Sequence, residues 1–247
     1  MILPLLLLAA QAGPPAPSLQ DRFNACVELA GRDPHAAAEE AGRWRLAGGG
    51  ALARQCLGMA YANDGKWAAA ASEFEGAARA AELAKDKRAA LYWAQSGNAW
   101  LAAQDAPKAR AALDAALAAG TLTGLDRGEA MLDRARAQVA AGDLAGARSD
   151  LDPALIDAAA DPLAWLLSAT LARRMDDLPR ARKDIAEALR LSSEDASVQL
   201  EAGNIAALAG DEAGAKAAWR QAANRAPASE AGKRAQAALA QFDTATP

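Results

Sequence analysis

The residues most capable of chemistry are few, and their spacing narrows what they can do. The single histidine, His35, follows Pro34 at the start of an expected helix. No serine, cysteine or carboxylate stands at a spacing that would complete a nucleophile–base pair with it, so a surface or packing role is expected. Cys26 and Cys56 lie thirty residues apart, and with one histidine they match no zinc-ligand spacing. Two outcomes stay open for them: a disulfide if the chain is exported, or two buried thiols acting as small apolar groups. Pairing requires Cα atoms within about 7 Å. Gly48-Gly49-Gly50 is followed by Ala-Leu-Ala rather than Lys and Ser or Thr, so it lacks the residues of a phosphate loop. Asp176-Asp177 could suggest a metal, but acids at such a turn cap the next helix. The expectation is a chain that is no enzyme, with no cofactor and no metal site.

What must position these residues is helical. Alanine is the commonest residue, with Leu, Arg, Glu and Lys supplying much of the rest, and these are the strong helix formers. Only 4% of the 247 residues are aromatic, so the core must rely on close packing of small side chains over many helix–helix contacts. The net charge is −4, with no long basic run, which argues against nucleic-acid binding. Acids and bases are interspersed, as on solvated helix faces.

The first residues differ in character. Met1–Ala10 reads MILPLLLLAA and is followed by a Pro-rich stretch over 13–17. Ala10-Gln11-Ala12 fits the small-x-small pattern of a signal-peptidase site, so residues 1–12 are expected to be a signal peptide cleaved after Ala12. The run is too short to span a bilayer as a helix, and no stable membrane span is expected. Its n-region carries no Lys or Arg, and a cytoplasmic location is the alternative to export to the periplasm.

An internal repeat organises the remainder. A small residue recurs at Gly58, Gly97, Ala135, Ala169 and Gly203. Twelve residues after each comes Ala70, Ala109, Ala147, Ala181 and Ala215. Sixteen after comes a bulky residue, Phe74, Leu113, Leu151, Ile185 and Trp219. Nineteen after comes alanine again, Ala77, Ala116, Ala154, Ala188 and Ala222. Between these columns lie turn pairs: Gly65-Lys66, Gln104-Asp105, Gly142-Asp143, Asp176-Asp177 and Gly210-Asp211. In the best cases they read as a C-cap glycine and an N-cap acid. Each unit is two helices joined by a tight turn, and units of this kind bury their faces only by stacking. Extra residues fall between units around Ala84–Arg88 and Thr121–Gly124, expected as a longer helix end and a polar loop.

This frame, in LGMAYANDGKWAAAASEF and in GNIAALAGDEAGAKAAWRQAANRAP, resembles the tetratricopeptide repeat family over residues 51–227. Trp93 and Trp165 stand where that family favours tryptophan, whereas Arg54 and Gln199 replace it in two units. The resemblance implies an all-α fold, a right-handed superhelical solenoid of antiparallel helix pairs. Residues 18–50 look like a worn unit, with Ala25 in the small column and Ala37, Ala41 and Trp44 following. Residues 228–242 are expected to form a capping helix, with a disordered tail over 243–247.

The same resemblance implies a protein-binding scaffold whose first helices line a concave groove for a peptide or partner helix. Exported relatives of this kind serve envelope assembly or secretion complexes. Alternatives are a cytoplasmic regulatory or accessory subunit and, from another class, an enzyme or ligand-binding module concealed in a solenoid. The residue after each small position should face the groove: Met59, Asn98, Arg136, Thr170 and Asn204, with Asn63, Arg173 and Arg174 one turn on. Of these, Asn98, Arg136, Arg173, Arg174 and Asn204 are the candidates for contact with a protein or peptide partner, through backbone hydrogen bonds or a carboxylate. Oligomeric state is not legible.

Overall fold

A computed structural model describes residues 17–245. The expected signal peptide over 1–12, almost all of the Pro-rich linker over 13–17, and residues 246–247 of the tail lie outside the described residues. Within them stand thirteen helices and no strand. They pair as α1 (Leu19–Arg32) with α2 (Pro34–Leu46), α3 (Gly50–Asn63) with α4 (Trp67–Leu83), and α5 (Ala89–Ala102) with α6 (Ala106–Ala118). There follow α7 (Gly124–Ala140) with α8 (Leu144–Asp157), α9 (Pro162–Arg174) with α10 (Leu178–Leu191), and α11 (Ala196–Leu208) with α12 (Glu212–Arg225). A single helix, α13 (Glu230–Ala245), closes the row. The first helix of a pair also touches the first helix of the next, as α5 does α7, α7 does α9 and α9 does α11. This is an all-α solenoid of stacked helix pairs.

The columns of the repeat are its core. Every residue of both alanine columns is fully buried, and the bulky column is buried throughout. The small residue receives the bulky one directly. A Cβ added at Gly97 would lie 2.4 Å from Leu113 Cγ, and one at Gly203 would lie 2.4 Å from the indole of Trp219. Phe74 stands in the same relation to Gly58, at 2.7 Å. In these three units the two helices meet at one close contact made within the unit.

The turn chemistry explains how the second helix starts. Asp105, Asp143, Asp177 and Asp211 each accept a hydrogen bond from a backbone N–H in the first turn of the following helix. Their own N–H groups donate back to carbonyls of the preceding helix, for example Asp143 to Gln138 at 2.9 Å and Asp211 to Ala206 at 3.0 Å. One residue therefore ends one helix and begins the next, satisfying orphan groups of both. The residue before it is left-handed: Gly65, Gly142 and Gly210 in three units, but Gln104 (φ 62°) and Asp176 (φ 61°) in the other two.

Three expectations need correction. Ala25 is exposed, and Cys26 takes the buried place beside it, because Asp33 alone joins α1 to α2 and the left-handed residue is missing. The two inter-unit segments differ from expectation: Ala84–Arg88 forms a turn with a left-handed Lys85 rather than a helix end, and after the Thr121–Thr123 loop α7 lengthens to 17 residues, as many as α4. The last helix runs on to Ala245, three residues past the expected end at 242.

Candidate interaction groove

The groove is built by one face each of α5, α7 and α9. On α5 the lining residues are Leu91, Gln95 and Asn98; on α7 they are Asp126, Glu129, Asp133 and Arg136; on α9, Leu163, Leu167 and Thr170. The three- and four-residue spacings place each set in a stripe along its helix. Three cavities lie along these stripes, of about 370, 290 and 120 Å³. The first two share Asn98, Glu129 and Asp133, and the last two share Arg136 and Leu167, so they form one trough. Its apolar lining includes Phe74, Leu91, Ala130, Leu132, Val139 and Leu151. Trp67 and Leu163, two of the exposed large apolar side chains, lie along it.

Charge divides the trough along the helix axes. Asp126, Glu129 and Asp161 sit toward the N-terminal ends of α7 and α9, and Arg136 and Arg174 toward the C-terminal ends, as the helix dipoles favour. Asp133 stands between, accepting from Asn98 Nδ2 at 2.7 Å and from Arg136 Nη1 at 2.8 Å. Asp161 caps α9 through the Leu163 N–H. Desolvation in the trough, ahead of repulsion from Asp126, Asp133 and Asp161, raises the Glu129 carboxyl above its ordinary value.

The candidate contact residues separate into two groups. Asn98, Arg136 and Arg174 line the trough, together with Thr170. Arg173 and Asn204 are turned to structural work around Glu201, whose side chain is only 7% exposed. Arg173 donates to Glu201 at 2.6 and 3.3 Å, and Asn204 Nδ2 donates to it at 3.0 Å. Asn204 Oδ1 accepts from Trp219 Nε1 at 3.1 Å, so the amide is engaged at both ends. Cys26 and Cys56 are joined as a disulfide with Cα atoms 6.2 Å apart, tying α1 to α3. His35 is exposed, 3.4 Å from Asp64.

Other polar residues with firm roles carry little signal in the sequence. Arg134 on α7 clamps Asp150 of α8 at 2.7 and 2.6 Å and reaches Asp114 of α6 at 2.9 Å. Buried Asp184 accepts from Ser168 and from Arg180, while Arg148 holds the Ser168 carbonyl at 3.1 Å. The tryptophan column docks helices onto what precedes them. Trp165 donates to the Ala159 carbonyl at 2.8 Å, and Gln199, its replacement two helices on, donates to the Ser193 carbonyl at 2.7 Å. The substitution keeps the donor and its reach. Among the described residues no three His, Cys, Asp or Glu could hold a metal ion, and no helix is long and apolar enough to cross a membrane.

No protein-family model and no curated protein matches the sequence. Solved structures do match its fold. pilF of Pseudomonas aeruginosa superposes with a TM-score of 0.70 at 17% identity, over 89% of this chain and 99% of that one. PilW, described as a widely conserved type IV pilus biogenesis factor, gives 0.70 at 19% identity over 86% and 97%. YrrB, a tetratricopeptide repeat protein with an unusual peptide-binding site, gives 0.57 at 18% identity over 75% and 91%. The fold of this chain is that of the tetratricopeptide repeat solenoids.

Proposed function

We propose that this protein is a non-enzymatic interaction scaffold that holds an extended peptide or partner helix along the trough of α5, α7 and α9. The observation that carries the proposal is the continuity of the three cavities, which run across three units with an apolar floor and polar walls. A trough of this form offers anchors at alternate positions of a linear ligand while exposing polar groups for its backbone. YrrB, similar in fold, carries a peptide-binding site according to its description.

Export to an oxidising compartment is part of the same proposal. The apolar run MILPLLLLAA with its Ala10-Gln11-Ala12 site supports it, as does the Cys26–Cys56 disulfide, since such bonds persist outside the cytosol. An envelope-assembly role fits the fold likeness to PilW, itself a pilus biogenesis factor.

Photo-crosslinking tests the groove. A benzophenone side chain at Asn98 or Thr170 should give discrete protein adducts in cells. The same group at Ala217, away from the trough, should not. Equal labelling from all three sites would refute the groove. Fusion of the first twenty residues to a periplasmic reporter tests export; a reporter that stays cytoplasmic refutes it.

A further inference from the structure

We propose that the trough selects a linear protein segment carrying a Lys or Arg beside apolar residues. The cation sits between α5 and α7, and the apolar side chains lie on the floor that continues to α9. This rests on the trough being the binding groove, and adds the chemistry of its occupant.

The argument is one of unanswered charge. Asp126 and Glu129, both exposed, line the largest cavity of the trough, and among the described residues neither makes an ion pair or hydrogen bond to another side chain. The nearest arginine in sequence, Arg127, is occupied elsewhere, chelating Asp157 at 2.6 and 2.9 Å. Asp133 is shared between Asn98 and Arg136, and Asp161 adds a fourth carboxylate at the second cavity. Asp126, Glu129 and Asp133 share one stripe of α7, with Asp161 at the start of α9, and desolvation, ahead of repulsion from the other three, raises the Glu129 carboxyl. Elsewhere in the molecule the well-buried acids, Glu73, Asp150, Asp184 and Glu201, are answered by arginine.

The chemistry narrows what can answer them. No three acids come together closely enough to hold a metal ion among the described residues. A phosphate backbone would be repelled by the same field. An ammonium or guanidinium on a flexible stem reaches the carboxylates while its methylenes lie on Leu91 and Ala130. The neighbouring floor, with Trp67 exposed at one end and Leu163 and Leu167 at the other, takes apolar side chains on either side of it.

The test is a random dodecapeptide phage library selected against the full-length chain, with the selected peptides titrated by fluorescence anisotropy. The selected sequences should be enriched in Lys or Arg next to apolar residues. Their affinity should fall about three- to tenfold in Asp126→Asn/Glu129→Gln, as expected for losing two partly solvated charge pairs. It should also weaken with added salt. Selected peptides of neutral or acidic composition, or affinities unchanged in the double variant, would overturn this inference and leave the groove standing. If no peptide is selected, the groove reading falls with it. A chain that sediments as a dimer, dissociated by the double variant, would place a second copy in the trough and also overturn the proposal.

Discussion

At the scale of single residues, the decisive contacts are those between a small side chain and a bulky one within a unit. Gly97 faces Leu113 so closely that in Gly97→Ala the Leu113 side chain or one of the two helices must shift, although alanine favours the helix itself. A net loss of about 1–2 kcal/mol is expected in urea denaturation, within the cost of overpacking a filled core. Gln104 points the other way. It holds a left-handed backbone where three sister units have glycine, and it is exposed. Gln104→Gly should raise stability by about 0.5–1 kcal/mol, since the left-handed penalty of an L-residue disappears while glycine's extra chain entropy offsets part of the gain. The alanine and bulky columns are legible in the sequence because burial acts on residue size at fixed spacing. The inward commitment of Arg173 and Asn204 is not, since Arg173 meets its partner Glu201 at a distance of 28 residues. Nothing local marks that carboxylate as buried.

At the scale of elements, charged residues act as ties between helices as much as surface groups. Arg173 joins α9 to α11 through Glu201, and its removal leaves a mostly buried carboxylate with only an amide partner. Arg173→Ala should cost about 2–3 kcal/mol, less than for breaking a fully buried pair because the arginine is partly exposed. Hydrogen exchange should show the loss concentrated in α9 and α11, with α3 and α4 little changed. Protection lost evenly over the whole chain would contradict it. This tie also changes how the groove is probed: substitutions at Arg136 and Arg174 report on binding, whereas Arg173 confounds binding with stability. The acidic half of the trough was within reach of sequence reasoning. Counting back from Arg136 by three, seven and ten residues gives Asp133, Glu129 and Asp126 on the same helical face. The columns of the repeat draw attention to positions at and after the small residue, and these acids precede it. The first unit departs from the frame: one residue links its helices where the other five pairs have three, and Cys26 takes the buried position that the frame assigns to Ala25.

At the scale of the whole molecule, stability is distributed along a row of units, and so is its dependence on pH. Hydrogen bonds hold Asp157 (from Arg127), Asp86 (from Arg88), Asp105 (from Lys108) and Glu40 (from Arg22) below their ordinary carboxyl values. A depressed folded-state value means the unfolded chain binds protons first on acidification. The contribution is therefore complete above the unfolded carboxyl range, near pH 4, and is lost as pH falls through the folded values. Glu129 has the opposite sign, and its carboxylate weakens the fold slightly at neutral pH. Thermal scans should give a nearly constant Tm from about pH 6 to 8 and a steep fall below about pH 4. A Tm that rises on acidification below pH 4 would show that repulsion in the trough outweighs the paired carboxylates.

The bond between Cys26 and Cys56 gives this row of units a mechanical asymmetry. A chain pulled from its two ends lengthens as each helix pair gives way, but the segment between the cysteines, a sequence separation of 30, cannot pay out while the disulfide is intact. At about 3.5 Å per residue that withholds on the order of 100 Å of contour length. Single-molecule stretching should therefore reach full extension about 100 Å later after reduction than before it. Equal lengths in the two states would show that the bond does not carry the load. With the bond in place, the segment from Cys26 to Cys56 behaves as an inextensible link, and strain is taken up by the units that follow it, those of the trough among them.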